Sequence, residues 1–467
     1  MAKYKRNQKQ SQRPKQSQRH NNDRFNFNSY NINSYKASKN MGDASSTSIM
    51  RRADFHVHIK DNSDGVYSFS QALEVAILNN VANIALLQHN DLHAWTNFVK
   101  EHNLPKHKAY HKINGVKVVP AVEITCRDSE NENYKGNPLK LHMVVLAPML
   151  TTNSPIVRLL KIKSANDRLV DYGLLNYIAE IRGITIDHDT IKKYVINKRN
   201  EVAGFNTFGT KDSVEFFKRN GITVAKSQRE LENMLEKAPR VQRLNLDMKD
   251  IIDVAHASGA LVIFAHPPVN LVRTATPEKT VENFLKCGGD GFEIITSSMD
   301  EENFKVIMDT IKANGSKNSI IFTGGSDTHV AGADVTIGKT AKGEINEQSQ
   351  IGAIYEIEKL ESARARGLIT ERKYGASVDK GHIESIIKKY ADMEAEYEKV
   401  YDESKQKAIL NATSQKNQNI VVNSNDIINP LDFKSFEEYM SSCFEEENDF
   451  EEDSDDNIYN LDNENGD

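Results

Sequence analysis

Seven short apolar runs, ADFHVH, NIALLQH, VKVVPAVEIT, LKLHMVVLA, ALVIFAHP, GFEIIT and SIIFTGGSD, alternate with stretches of helical spacing in the middle of this chain. Runs this apolar have no solvated face to offer, so they read as strands buried on both sides. Between them, SQALEVAILNN places Leu73, Ala76 and Ile77 at helical spacing, and KDIIDVAHASG and NFKVIMDTIKANG end in glycine stop signals. Strands alternating with helices predict an α/β fold, and seven strands favour a barrel.

That rhythm bounds the domains. Residues 151–250 contain SANDRLVDYGLLNYIAEIRG, SVEFFKRNG and QRELENMLEK, which read as helices without a clear strand, and so as an insertion or cap over one face. The barrel is predicted over 50–345 including this insertion, with C-terminal helices over 346–412. From Ile383 the apolar positions Ile383, Ile386, Tyr390, Met393, Tyr397 and Val400 follow a four-three spacing, which fits a helix packed on the barrel or a short coiled coil. Residues 1–48 are rich in Asn, Gln, Ser, Lys and Arg and poor in aliphatics, and the segment from Cys443 carries twelve Asp or Glu and no Lys or Arg. Neither end can bury enough surface to repay its ordering entropy, so a basic disordered head and a largely disordered acidic tail over 413–467 are predicted. The net charge of −6 averages the two.

No run of 18 apolar residues occurs, the amino terminus lacks the apolar segment of a secretory signal, and Cys126, Cys287 and Cys443 lie far apart without a CxxC pair. These features predict a cytoplasmic protein with no membrane partner, no disulfide framework and no thiolate zinc site.

The histidines and acids sit where the strands end. His56 and His58 close the first strand, His89 the second, Glu123 lies in AVEIT, His142 in LHMVV, His266 in IFAHP, and Asp327 and His329 in GGSDTH. In parallel α/β architectures that end of the sheet gathers the site. Alternate strand residues share a side, so His56 and His58 can present two imidazoles to one centre. One histidine alone is an ordinary buried or surface residue, but burying so many imidazoles and carboxylates without a cation would strand polar groups at several kcal/mol each. Imidazole with carboxylate and no thiolate suits Zn, Mn or Fe better than Mg or Ca. Two or more such ions activate a water and clamp phosphoryl oxygens, which points to phosphoester hydrolysis.

In order and spacing, HVHIKDNSDG, QHND, PAVEIT, LHMVV, FAHP and GGSDTH resemble the motifs of the PHP (polymerase and histidinol phosphatase) family, over about residues 52–340. The resemblance implies a distorted seven-stranded β/α barrel and a metal-dependent phosphoesterase with three metals. It implies that His56, His58, Glu123 and Asp327 hold the first, that Glu123 bridges to a second held by His142 and His266, and that Asp64, His89 and His329 hold the third. Glu123, Asp327 and His266 are the implied catalytic residues.

The segment between LHMVVLAP and FAHP is similar to the insertion of the branch that contains nucleoside 3′,5′-bisphosphate phosphatases and 5′ to 3′ exonucleases, which implies a nucleotide or short oligonucleotide substrate. Two positions depart from that branch: Thr210-Lys211-Asp212-Ser213 stands where an Arg-x-His is usual, and Gln88 and Asn90 replace acids around His89. Arg127, Arg168 and Lys211 are the candidate substrate cations. A small phosphomonoester such as histidinol phosphate is the alternative substrate. A metal-stabilised scaffold, with the basic head as a weak RNA contact or a solubilising tail, is the alternative role.

Overall fold

Each of the seven apolar runs forms a strand of one sheet, in chain order. The computed structural model describes residues 51–60, 65–182, 185–186, 216–218, 230, 243–314, 320–329, 335–367, 379–414 and 421–422. Expectations for the basic head, Asp64, Lys211 and the acidic tail, apart from residues 413–414 and 421–422, lie outside the described residues. The strands are β1 (Arg52–His58), β2 (Val81–Leu87), β3 (His111–Ile113), β4 (Val116–Glu132), β5 (Pro138–Leu146), β6 (Thr185–Ile186), β7 (Leu246–Asp247), β8 (Leu261–Phe264), β9 (Gly291–Ile295), β10 (Ile321–Gly324), β11 (Lys339–Thr340) and β12 (Gly343–Glu344). The helices are α1 (Phe69–Leu78), α2 (His93–Glu101), α3 (Pro155–Arg182), α4 (Met248–Ala257), α5 (Pro267–Leu271), α6 (Pro277–Lys286), α7 (Glu301–Ala313), α8 (Ile351–Ala365) and α9 (Lys380–Ser414).

The principal sheet runs β1-β2-β4-β5-β8-β9-β10, with β3 and β7 paired onto β4. Pairing along it is parallel except around β5, which is antiparallel to both β4 and β8. The turn chemistry after β4 explains the reversal into β5. Asn133 accepts from the backbone N–H groups of Lys135 (2.8 Å) and Asn137 (3.2 Å), and Gly136 takes φ +78°, so the chain folds straight back without a crossover helix. At the sheet's ends, β1 meets the segment after β10 through one parallel bridge, Val57 to Thr328, and Asp327 N–H donates to His56 O at 2.9 Å.

Alternation along the strands makes two cores. Ile84, Leu86, Val122, Ile124, Val262 and Phe264 face the helices, while Ala85, Leu87, Val119, Ala121, Val144 and Ile263 face inward with Ala353, Ile357 and Leu360 of α8. On α1 the buried stripe is Phe69, Ala72, Leu73 and Ala76, spaced for one helical face, whereas Ile77 is 45 % exposed, against the expectation for it. The Ser68–Gln71 capping box starts that helix.

The insertion begins with the 28-residue α3 and also supplies strand, contrary to the reading of 151–250 as helical throughout. β7 pairs with β4 at Cys126 and Arg127, and β6 pairs with Val421–Val422. Segments of two residues have no periodicity to read and exist only through their tertiary partners. In α9, Ile383, Ile386, Ile387 and Tyr390 are buried in the core that includes α3 and α4, and Val400 is 42 % exposed. Among the described residues no helix is long and apolar enough to cross a membrane.

Arg364 of α8 is 6 % exposed and donates to the carbonyls of His107 (3.2 Å), Ala147 (2.7 Å) and Gly259 (3.0 Å), and burial pushes its guanidinium down to about 10. Two of these carbonyls belong to left-handed residues, Ala147 at φ +57° and Gly259 at φ +74°. Arg364→Met keeps the apolar stem but leaves those acceptors without their donor, so urea unfolding is expected to show a loss of about 3 kcal/mol. A loss below about 0.5 kcal/mol would contradict this account of how the loops are held.

Candidate metal centre

The inward face of the sheet continues into a cluster of imidazoles and carboxylates. Glu123 follows Val119 and Ala121 on the inner face of β4, and His142 precedes Val144 and Leu146 on that of β5. Both lie within long strands rather than at strand ends; β4 runs nine residues past Glu123. On β1, Ala53 and Phe55 face inward while Val57 and Ile59 face outward, so regular alternation is broken between them. The pairing of β1 with β2 shifts register between Asp54 and Val57, and this irregularity turns both His56 and His58 inward. Three residues near the cluster, Asn90, His266 and Asp327, adopt positive φ (52°, 26° and 53°), a conformation that costs a non-glycine residue about 1–3 kcal/mol.

Eight of the nine expected ligands converge here, and the ninth, Asp64, lies outside the described residues. Glu123, 1 % exposed, divides its two oxygens. Oε2 lies 3.1 Å from His89 Nδ1, 3.3 Å from His58 Nε2 and 3.6 Å from His56 Nε2, and Oε1 lies 2.8 Å from His266 Nε2 and 3.0 Å from His142 Nδ1. Asp327 Oδ1 lies 3.3 Å from both His56 Nε2 and His58 Nε2, which are 3.1 Å from one another. His329 Nδ1 contacts the Asp327 carbonyl at 3.0 Å, and its ring stacks on that of His58 at 4.2 Å between centroids. His58 stacks on His89 as well, at 4.4 Å, and the His89 and His329 centroids are 6.1 Å apart, so the three rings pack together. His56, His58 and Glu123 form the buried floor, while His89, His142, Asp327 and His329 keep partial exposure at the opening.

Other residues fix this arrangement without showing in the motifs. Glu293 of β9 accepts from the His266 backbone N–H (2.8 Å) through Oε2 and meets His56 Nδ1 (2.8 Å) through Oε1. Asp54 accepts from the backbone N–H groups of Gly338 (2.7 Å), Ser326 (3.0 Å) and His56 (3.2 Å), which ties β1 to the loop that carries Asp327. Burial raises the Asp54 carboxyl to about 6 despite those bonds. The signal available for both was an acid inside an otherwise apolar run, ADF and GFEII. Gln88, which stands where an acid is usual beside His89, accepts through Oε1 from the backbone N–H of Ala94 at the start of α2 (2.8 Å). Asn90 Oδ1 accepts from Thr125 N–H (2.9 Å), locking the loop onto β4.

The electrostatics favour a cation. Burial alone would depress the His56 imidazole, but the carboxylates of Glu293, Asp327 and Glu123 outweigh it and hold His56 well above the usual histidine range. Burial would likewise raise Glu123 and Asp327, and the surrounding imidazoles instead hold both well below the carboxylate range. His142, dominated by burial, is pushed down to about 4 and is neutral at physiological pH, the form that ligates metals. Asp327 Oδ1 and His266 Nδ1 are buried and make no well-formed hydrogen bond among the described residues. Metal–ligand bonds of about 2.1 Å place neighbouring ligand atoms roughly 3.0–3.5 Å apart. Asp327 Oδ1 and the two Nε2 atoms of His56 and His58 match that, at 3.1 to 3.3 Å from one another, and Glu123 Oε2 lies 3.3 Å and 3.6 Å from the Nε2 atoms of His58 and His56. His58, His89 and His329 form a second grouping with ligand atoms mutually within 4.8 Å, and His56, Glu123 and His266 form a third. These residues fit divalent ions. The thiol of Cys126 is no competitor, since it is buried in the outer core and raised well above its usual value by that burial.

The candidate cations fall in different places. Arg127 lies on β4 four residues past Glu123, contacting Asn245 Oδ1 (3.3 Å) and the Pro138 carbonyl (3.4 Å). Arg168 lies on α3 and donates to Ser164 Oγ of its own helix (3.0 Å).

No family model matches this chain, and no curated protein matches it. Several solved structures are similar to it, two of them as follows. A candidate metal-dependent phosphoesterase from Bifidobacterium adolescentis is 18 % identical, with a TM-score of 0.43 over 66 % of this chain and 96 % of its own. An amidohydrolase from Chromobacterium violaceum, solved with sulfate and without metal, is 16 % identical, with a TM-score of 0.39 over the same shares.

Because His56 is held in its cationic form, a proton and a divalent ion compete for its Nε2. Below the raised value the proton blocks the ion, and rising pH removes it. Apparent Zn²⁺ or Mn²⁺ affinity, measured by chelator competition between about pH 6 and 8, is therefore expected to tighten with pH. An affinity independent of pH across that window would contradict this.

Proposed function

We propose that the chain is a metal-dependent phosphoesterase with a PHP-type distorted seven-stranded β/α barrel, hydrolysing a phosphate ester of a nucleotide or short nucleic acid. The observation that carries the reading is the Glu123 carboxylate, split between two sets of imidazoles, with Asp327 completing a set of ligand atoms at coordination spacing. Divalent ions held there would acidify a water and neutralise charge on a phosphoryl group. The absence of thiolate from the set favours Mn, Zn or Fe, and three ions per chain is the proposed complement, with Asp64 joining His89 and His329.

The chain's own residues set the rest. Glu123 holds the two halves of the centre at a fixed separation, His266 anchors the second half, and Asp327 presents its carboxylate from the accessible side. His89, His142 and His329 line the opening through which substrate would enter. Of the proposed substrate cations, Arg127 shares the inward face of β4 with Glu123, while Arg168 and Lys211 belong to the insertion that motivates the nucleotide assignment. The alternatives are a small phosphomonoester such as histidinol phosphate, and a scaffold whose metals only hold the fold.

Release of phosphate or nucleotide from mononucleotides, 3′,5′-bisphosphates, 5′-phosphorylated oligomers and histidinol phosphate tests the reading. With added Mn²⁺, wild type is expected to turn over a nucleotide substrate, and Glu123→Ala to lose roughly a thousandfold or more. A wild type no faster than Glu123→Ala on every substrate would leave the scaffold alternative standing. Arg127→Met is expected to raise KM for oligonucleotide more than it lowers kcat, by about 10-fold in KM; an unchanged KM would remove Arg127 from substrate binding.

A further inference from the structure

Glu293 touches the centre at two points by two different chemistries. Its side chain is 1 % exposed, and one oxygen meets the His56 ring at Nδ1 while the other accepts the backbone N–H of His266, both at 2.8 Å. The pair is locked from above. A Cβ on Gly325 would come within 2.2 Å of His56 Cβ and 2.6 Å of Glu293 Oε1, so only a hydrogen fits there.

The two contacts act differently. A carboxylate only accepts, so His56 carries a proton on Nδ1, and Nε2, which faces His58, Glu123 and Asp327, is the nitrogen that can give up its proton to offer a lone pair to an ion. At His266 the contact reaches only the backbone, which it holds at φ 26° and ψ 63°. The His266 ring is engaged independently, through Nε2 on Glu123 Oε1. Loss of acceptor character at Glu293 Oε1 therefore acts through the His56 ring and leaves in place the His266 ring's own contact with Glu123.

We infer that Glu293 is a positioning residue that sets the His56 tautomer, and so controls ion binding at the His56–His58–Asp327 half of the centre while leaving the His142–His266 half intact. This rests on the metal-centre reading above. Glu293→Gln isolates the effect. The His266 N–H can only donate, so the glutamine carbonyl must stay on it, and the amide NH₂ then faces His56 Nδ1. That reverses the hydrogen bond and moves the His56 proton to Nε2, where an ion would bind.

The test uses the full-length chain, stripped by chelator and titrated with Mn²⁺ and, separately, Zn²⁺, with ions per chain and affinities read by calorimetry and elemental analysis. Glu293→Gln is expected to weaken one equivalent by about 10–100-fold and the others by less than about 3-fold. The metal-free variant should melt within about 2 °C of metal-free wild type. In Zn²⁺-loaded wild type with ¹⁵N-labelled histidine, the His56 resonances should report a protonated Nδ1 and a metal-bound Nε2. Equal weakening of all equivalents, unchanged affinities, a variant that melts well below wild type, or a His56 protonated at Nε2 would each overturn the inference. A wild type that takes up no ion would overturn the metal-centre reading and the inference with it, whereas normal loading of wild type beside a variant that loads identically overturns the inference alone.

Discussion

One buried carboxylate organises this protein. Glu123 sits on the inward face of the sheet with five imidazoles within 3.6 Å of its two oxygens. A charge taken that far from water is tolerated only when opposite charge surrounds it, and the imidazoles can supply that charge as protons or yield it to ions. The inner apolar layer beneath, from Phe55 and Ala121 to Leu360, raises the strength of these interactions by excluding water from the floor. The neighbourhood of Glu123 is thus at once unfavourable for an unpaired charge and favourable for a cation.

The scaffold holds that neighbourhood by local departures from regularity. The register shift in β1 brings two adjacent-but-one histidines to the same side as the inner core, the left-handed backbone of His266 and Asp327 aims their side chains inward from chain reversals, and Asp54 clasps β1 to the Asp327 loop. Each departure costs free energy that regular secondary structure would not, and each lies beside the cluster, which is where strain is expected when it serves a site.

Much of this was legible in the residues. The seven apolar runs are long enough, and free enough of polar interruption, that burial on both faces was the only reading, and they appear as neighbouring strands in chain order. The ligand residue types stood out because histidine and acid are costly inside such runs. The direction of β5 was not legible from hydrophobic pattern, since an apolar run looks the same in either direction; it was decided by the NYKGN turn, whose asparagine and glycine chemistry carried the information instead. Glu293 resembled a stray acid in GFEII because its purpose exists only when β9 lies beside β1's histidine across 237 residues of sequence. Gln88 stands beside His89 in the sequence, and its Oε1 accepts from the Ala94 N–H at the start of the next helix, a contact with no signature in the motif. Ile77 illustrates a narrower limit, because α1 buries one face and that stripe already ends at Ala76.

The central claim is that the atoms facing one another around Glu123 are ligands rather than hydrogen-bond partners. Anomalous X-ray scattering from crystals grown with Mn²⁺, recorded on both sides of the manganese absorption edge, tests this most directly. The account predicts a peak bounded by His56 Nε2, His58 Nε2, Asp327 and Glu123, and another between Glu123, His142 and His266. A map with no anomalous density there, and with the imidazoles bonded directly to the Glu123 carboxylate, would contradict it.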